Sequence, residues 1–71
     1  MSEYVVVYER ADEGGWGAYL PDVPGVVALG ITRDDVTAGI REAFDAYVDE
    51  LKTHGVELPA PAAAVGTIEA A

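Results

Sequence analysis

Hydrophobic residues dominate the first third of the chain in short runs separated by turn-forming residues. The first run, over residues 4–9, is rich in β-branched and aromatic residues and predicts a strand. Successive side chains of a strand point to opposite faces, and here both faces are apolar. We therefore expect this strand to be central in its sheet, or covered on both sides.

Two more strands with tight connections follow. Residues 10–15 are polar and glycine-rich, and they predict a turn that pairs the first strand with a second strand over 16–20. The sequence Pro-Asp-Val-Pro-Gly over 21–25 predicts a rigid turn, because proline restricts the backbone and glycine relaxes it. A third short strand is expected over 26–29.

A long amphipathic helix is predicted next. Thr32 is a good N-cap, and Asp34 and Asp35 in the first turn suit both a capping box and the helix dipole. The helix should end near His54, with Gly55 after its last turn. Its apolar residues form one stripe of period 3.6: Val36, Ile40, Ala43, Phe44, Tyr47, Val48 and Leu51.

The C-terminal part has weaker signals. Residues 58–64 are rich in proline and alanine and predict a stiff, extended connection, and residues 65–70 have weak strand character. The element order is therefore β-β-β-α-β, an α+β fold in a single domain over 1–71. We expect one long helix packed on a small, mainly antiparallel sheet.

One helix cannot cover two apolar sheet faces. The uncovered face should therefore expose apolar side chains, and exposed patches of that kind usually mark a binding surface. The chain is thus expected to pair with itself or with another chain. The residues from which we expect the exposed side chains to come are Tyr4, Val6, Tyr8, Trp16 and Tyr19.

Length and composition narrow the ways in which the fold can be stabilised. A chain of 71 residues forms one domain with a marginal core. The sequence has no cysteine and one histidine, so disulfides are excluded and a zinc site is not expected. Oligomerisation is the remaining common way to support so small a core.

The charge is strongly acidic. The net charge of −9 comes from 13 acidic and 4 basic residues, and it opposes nucleic acids and anionic membranes but attracts a basic partner. No apolar run approaches the ~20 residues that span a membrane. The N-terminus lacks the pattern of a signal peptide, so a cytoplasmic location is expected.

Four carboxylates near strand ends or turns are candidates for metal-dependent phosphodiester hydrolysis: Glu9, Asp12, Asp22 and Asp34. A structural explanation is favoured, since aspartates also serve turns and helix starts and so short a chain leaves little room for a catalytic pocket. Trp16 could anchor an interface or belong to the core, and the sequence leaves both alternatives open.

The combination of these motifs resembles the HicB-like antitoxin family. The resemblance rests on Tyr-Val-Val-Val-Tyr-Glu from Tyr4, on the run from Gly15 to Gly25 that ends in Pro-Asp-Val-Pro-Gly, and on Gly30-Ile-Thr32. The helical segment Ile-Arg-Glu-Ala and the later Leu-Pro-Ala-Pro agree with it. The resemblance covers nearly the whole chain.

The resemblance implies a compact β-β-β-α-β domain with a partial ribonuclease-H-like fold. Members of this family neutralise HicA toxins, small basic ribonucleases that cleave mRNA, by covering the toxin's active surface. They commonly form homodimers or homotetramers. The resemblance therefore implies a binding module that is not an enzyme and needs no cofactor or metal.

The sequence departs from the fuller family pattern at its C-terminus. Many such antitoxins carry a DNA-binding segment there, whereas this sequence stops at Ala71, so we expect no direct nucleic-acid binding. The main hypothesis is a toxin-neutralising module whose contacts to toxin Lys and Arg include Glu9, Asp12, Trp16 and Asp22. The alternatives are a homo-oligomeric structural or regulatory module without a toxin and, more remotely, a metal-dependent nuclease.

Overall fold

The computed structural model describes residues 3–70 and contains three strands and one helix. Strand β1 is Val7–Arg10, β2 is Trp16–Tyr19, β3 is Val27–Gly30, and helix α1 is Arg33–His54. The sheet order is β1-β2-β3, and both neighbouring pairs are antiparallel. The predicted α+β class and the single long helix are confirmed.

The position of the first strand differs from the prediction. β2 is central and β1 is an edge strand, because two tight connections place β2 between its neighbours in sequence. β1 also begins later than expected, at Val7, whose register partner Tyr19 is the last residue of β2. The chain leaves the sheet after Tyr19, so residues 4–6 have no partner strand.

The helix covers one face of this sheet. Ala18 of β2 and Leu20 just beyond it are buried beneath the helix, and they belong to the core with Val36 and Ile40 of α1. Val23 is fully buried between two consecutive turns, in which its N–H donates to Leu20 O at 3.1 Å and its carbonyl accepts from Val26 N–H at 3.3 Å. The Pro-Asp-Val-Pro-Gly segment therefore contributes a core side chain as well as a turn.

The prediction that part of a five-residue set would be exposed is met by one residue. Of its members only Tyr19 is on the exposed face, where it pairs in register with Val7 and Val27. The reason is the alternation of side chains, which places the even-numbered strand residues on the helix side. The other four members pack against the core: Tyr4, Val6, Tyr8 and Trp16.

Both ends of α1 are formed as the sequence predicts. Thr32 Oγ1 accepts from Asp35 N–H, and Thr32 N–H donates to Asp35 Oδ2, each at 3.1 Å, which is a complete capping box. At the other end Gly55 is left-handed, and Val56 N–H donates to Leu51 O at 2.9 Å. This pattern is a Schellman motif.

Two glycines allow the helix to lie close to β3. Only residues 31 and 32 separate β3 from α1. A Cβ on Gly30 would lie 2.8 Å from Asp35 Cβ, and a Cβ on Gly39 would lie 3.3 Å from Ala28 Cβ. Close packing therefore explains a glycine inside the helix despite its cost of about 1 kcal/mol relative to alanine.

The strand expected over 65–70 is not formed. After α1 the chain is extended without strand pairing up to residue 70. Tyr4 Oη donates to Pro59 O, and Asp22 Oδ2 accepts from the N–H groups of Ala62 and Ala63, both at 3.0 Å. These contacts hold residues 59–63 close to Tyr4, which precedes β1, and to Asp22, which follows β2.

The two hydrogen bonds that Asp22 accepts also shift the pKa of its carboxyl group. The amides of Ala63 and Ala62 hold the pKa of the Asp22 carboxyl below its ordinary value of 3.8, because both N–H groups stabilise the charged form. The carboxylate is thus the anchor of the C-terminal segment.

We expect Gly39→Leu to destabilise the fold. A large side chain at this position must push α1 away from Ala28, at a cost of about 1–3 kcal/mol in the free energy of unfolding. Denaturant unfolding followed by circular dichroism measures it. The control is Ala38→Leu at the exposed neighbouring position, which should unfold almost as the original chain does. Equal stability of the two variants would contradict the close contact.

We expect the C-terminal segment to detach in acid. Because docking lowers the pKa of Asp22, protonation opposes docking: the stabilisation is complete above the ordinary pKa of about 4 and is lost as the pH falls through the lowered pKa. The amide proton shifts of Ala62 and Ala63 in NMR spectra should follow this transition. In Asp22→Ala the shifts should no longer show this pH transition, and in Asp12→Ala they should still show it. A transition that persists in Asp22→Ala would assign the shifts to another group.

Candidate partner-binding site

The turn between β1 and β2 presents acidic side chains on a well-defined backbone. Ala11 N–H donates to Gly15 O at 2.8 Å, and Gly14 N–H donates to Ala11 O at 3.0 Å. Asp12 and Glu13 lie at the tip of this turn, and both are exposed. The two hydrogen bonds define the turn, and the exposure of both carboxylates makes them accessible to a partner.

A shallow concavity of ≈ 530 Å³ lies beside this turn. Glu9 and Asp12 contribute carboxylates to its lining, and Trp16 and Leu29 contribute apolar surface. Glu9 and Asp12 are exposed, while Trp16 is half-buried. The concavity therefore combines negative charge with apolar and aromatic surface.

Trp16 lies between the core and the surface. It packs against the core, and it also lines the concavity. The guanidinium of Arg10, its register partner on β1, lies over the indole ring at 5.2 Å from the centroid. This cation–π contact holds the ring in place.

The structure brings three of the four predicted contact residues together. Glu9, Asp12 and Trp16 line the concavity, whereas Asp22 lies beyond the other end of β2 and binds the C-terminal segment. Asp34 is an exposed residue in the first turn of α1. Across residues 3–70, no cluster of three or more carboxylate or imidazole groups could hold a metal ion.

The outer surface of α1 carries further acidic groups, some of which are paired within the helix. Arg41 contacts Asp45 at 2.9 Å, and His54 contacts Glu50 at 3.0 Å. Exposed pairs of this kind contribute little to stability. Their main effect is on the field around the molecule.

An apolar surface that we call the open face lies opposite α1. Leu29 is 88% exposed and Ile31 80% exposed, and Leu29 Cδ2 lies 3.4 Å from the position of a Cβ on Gly17. Sequence reasoning missed Leu29 and Ile31, although the alternation along the third strand could have located them. The open face consists of the odd-numbered apolar residues of the three strands, namely Val7, Tyr19, Val27 and Leu29, and Ile31 follows directly after β3.

The helix that the structure describes is too polar to cross a membrane. No solved structure matches the chain significantly. A curated relative, the UPF0150 protein Ta0767 of Thermoplasma acidophilum, is 30% identical over 57 residues, which cover 80% of this chain and 83% of the relative.

A family model described as "HicB_like antitoxin of bacterial toxin-antitoxin system" matches residues 4–71. The match includes the Pro-Asp-Val-Pro-Gly segment, helix α1 and the C-terminal segment. It agrees with the resemblance seen in the sequence. The chain therefore belongs to the HicB-like antitoxin family of bacterial toxin–antitoxin systems.

Proposed function

We propose that this chain neutralises a small, basic, HicA-like ribonuclease by covering the surface with which that toxin binds mRNA. Membership of the antitoxin family is the observation that carries the proposal. The chain acts by binding and not by catalysis, and it acts in the cytoplasm, where mRNA is cleaved.

The chemistry of the concavity supports this role. A surface that binds RNA phosphates carries Lys and Arg side chains, and Glu9 and Asp12 offer carboxylates to pair with them. The indole of Trp16 and the side chain of Leu29 offer apolar surface for the stems of such residues. The antitoxin thus places carboxylates where RNA phosphates would otherwise bind.

The overall charge supports the same partner. A chain with net charge −9 attracts a basic protein from a distance, so association should be fast and should slow as salt is added. Asp22 is engaged with the C-terminal segment, so we place the toxin contact at the β1–β2 turn and not at Asp22.

A second candidate function is a homo-oligomeric regulatory module without a toxin. The open face favours it, because exposed apolar surface of this extent calls for a cover, whether or not a toxin exists. Co-purification from the native cells separates the two candidates. A small basic protein retained in a fixed ratio supports the antitoxin, and recovery of only the chain's own oligomers at low salt supports the alternative.

The decisive experiment is an RNA cleavage assay with the toxin recovered in this way. We expect cleavage to stop when the purified chain is present at a ratio of one or more per toxin. Cleavage that continues with the chain in excess would contradict the proposal, provided that the same preparation folds and has the helical circular dichroism of α1.

We expect the double variant Glu9→Lys, Asp12→Lys to neutralise the toxin poorly. Reversal of two charges at the proposed contact should weaken inhibition by about tenfold or more and slow association, because attraction becomes repulsion. The control is Glu57→Lys, Glu69→Lys, which makes the same change in net charge at two exposed positions away from the concavity. Equal loss in both variants would assign the effect to net charge rather than to this site.

A further inference from the structure

We propose that Arg10 occupies the place of an arginine of the toxin, and that the toxin displaces it on binding. In the free chain the Arg10 guanidinium lies over the indole of Trp16, 5.2 Å from the ring centroid. In the complex a toxin guanidinium takes this position. The inference rests on the proposed function for the identity of the partner, and it adds the chemical group that the concavity recognises.

The strand register leaves one side of Trp16 accessible to a partner. Arg10 on β1 and Gly30 on β3 are the register neighbours of Trp16. The helix begins over Gly30, where a Cβ would lie 2.8 Å from Asp35 Cβ, so the β3 side of Trp16 is closed. Arg10 is exposed and is the last residue of the edge strand β1. A partner can therefore reach Arg10 and replace it on the indole.

The hold on Arg10 is weak. Within residues 3–70, Arg10 takes part in no ion pair, whereas Arg41, which lies over the ring of Phe44, is also paired with Asp45 at 2.9 Å. An exposed cation–π contact changes an equilibrium constant by a factor of only about two to five. A toxin arginine that the rest of the interface holds in position can therefore displace Arg10 at little cost.

The carboxylates of the concavity favour an incoming arginine. Glu9 and Asp12 line it beside Arg10 and Trp16, and in the described part of the chain neither carboxylate is ion-paired. A guanidinium is planar and presents five N–H donors, so it can stack on an indole and pair with a carboxylate at the same time. A lysine ammonium has no planar fork, so we expect the site to prefer arginine.

Displacement predicts the opposite effect of a mutation from simple support. If Arg10 only held the indole in place for the toxin, its removal would weaken binding. If Arg10 occupies the position that a toxin arginine needs, its removal vacates that position and also removes a positive charge that repels a basic partner. Arg10→Gln should therefore strengthen binding.

A titration with short basic peptides tests the recognition without a toxin. Trp16 is the only tryptophan of the chain, so its indole N–H resonance in NMR spectra reports on this site alone. Tetra-arginine should shift the resonance at concentrations about threefold lower than tetra-lysine, which has the same side-chain charge. In Arg10→Gln the midpoint for tetra-arginine should fall by about threefold more. Equal midpoints for the two peptides, or an unchanged midpoint in Arg10→Gln, would overturn the proposal.

The matched control is Arg33→Gln. The Arg33 guanidinium lies over the ring of Tyr8 at 4.5 Å from the centroid, and Arg33 does not line the concavity. This variant therefore makes the same change in net charge and removes the same kind of contact elsewhere. It should bind tetra-arginine almost as the original chain does. An equal gain in both variants would assign the effect to net charge and would also overturn the proposal.

The same variants are then compared in binding to the co-purified toxin at fixed salt. Arg10→Gln should lower the Kd by about threefold or more, and Arg33→Gln should change it little. Both residues are exposed, so the variants should keep the circular dichroism of the original chain. A toxin that binds Arg10→Gln equally or more weakly would overturn the displacement and leave the antitoxin function intact. A chain that binds no toxin at all would contradict the proposed function, and the peptide titration would still decide whether the concavity recognises a guanidinium.

Discussion

A single helix can cover only one face of a three-stranded sheet, and the surface of this protein follows from that constraint. The connection between β3 and α1 is two residues long, so the helix must fold back over the strand it has just left. Gly30 and Gly39 then let the helix approach β3 closely. The even-numbered side chains of the strands face the helix, and the odd-numbered ones face away from it.

This division gives the protein a small core and exposed surfaces of two different kinds. The small core, centred on Val23 and Val36, consists of side chains supplied by one face and one helix. The carboxylates of Glu9 and Asp12 surround a concavity at one end of the molecule, and the apolar row Val7–Tyr19–Val27 lies towards the other end. The molecule thus exposes both acidic and apolar surface.

Local signals in the sequence predicted the local structure well. The capping box at Thr32, the left-handed Gly55 and the double turn around Val23 each depend on residues within about five positions of one another. Such interactions are determined by side-chain chemistry and backbone preference alone. Glu9, Asp12 and Trp16 come together because the turn over 10–15, which the sequence also predicted, joins β1 to β2.

The features that sequence reasoning missed depend on contacts between distant segments. The run over 4–9 is apolar on both faces, but nothing within it shows that β1 is an edge strand or that its even-numbered residues face α1. The position of the C-terminal segment depends on hydrogen bonds that the N–H groups of Ala62 and Ala63 donate to Asp22, some 40 residues away. The exposure of Leu29 required knowing which face the helix covers.

The central claim is that this antitoxin binds a basic toxin through the acidic concavity beside the β1–β2 turn. Amide chemical-shift mapping of the labelled chain during titration with the co-purified toxin tests it most directly. The account predicts that the largest shift changes lie over residues 9–16, which include Glu9, Asp12 and Trp16 of the concavity. Shift changes confined to the C-terminal segment or to the exposed surface of α1 would contradict the account.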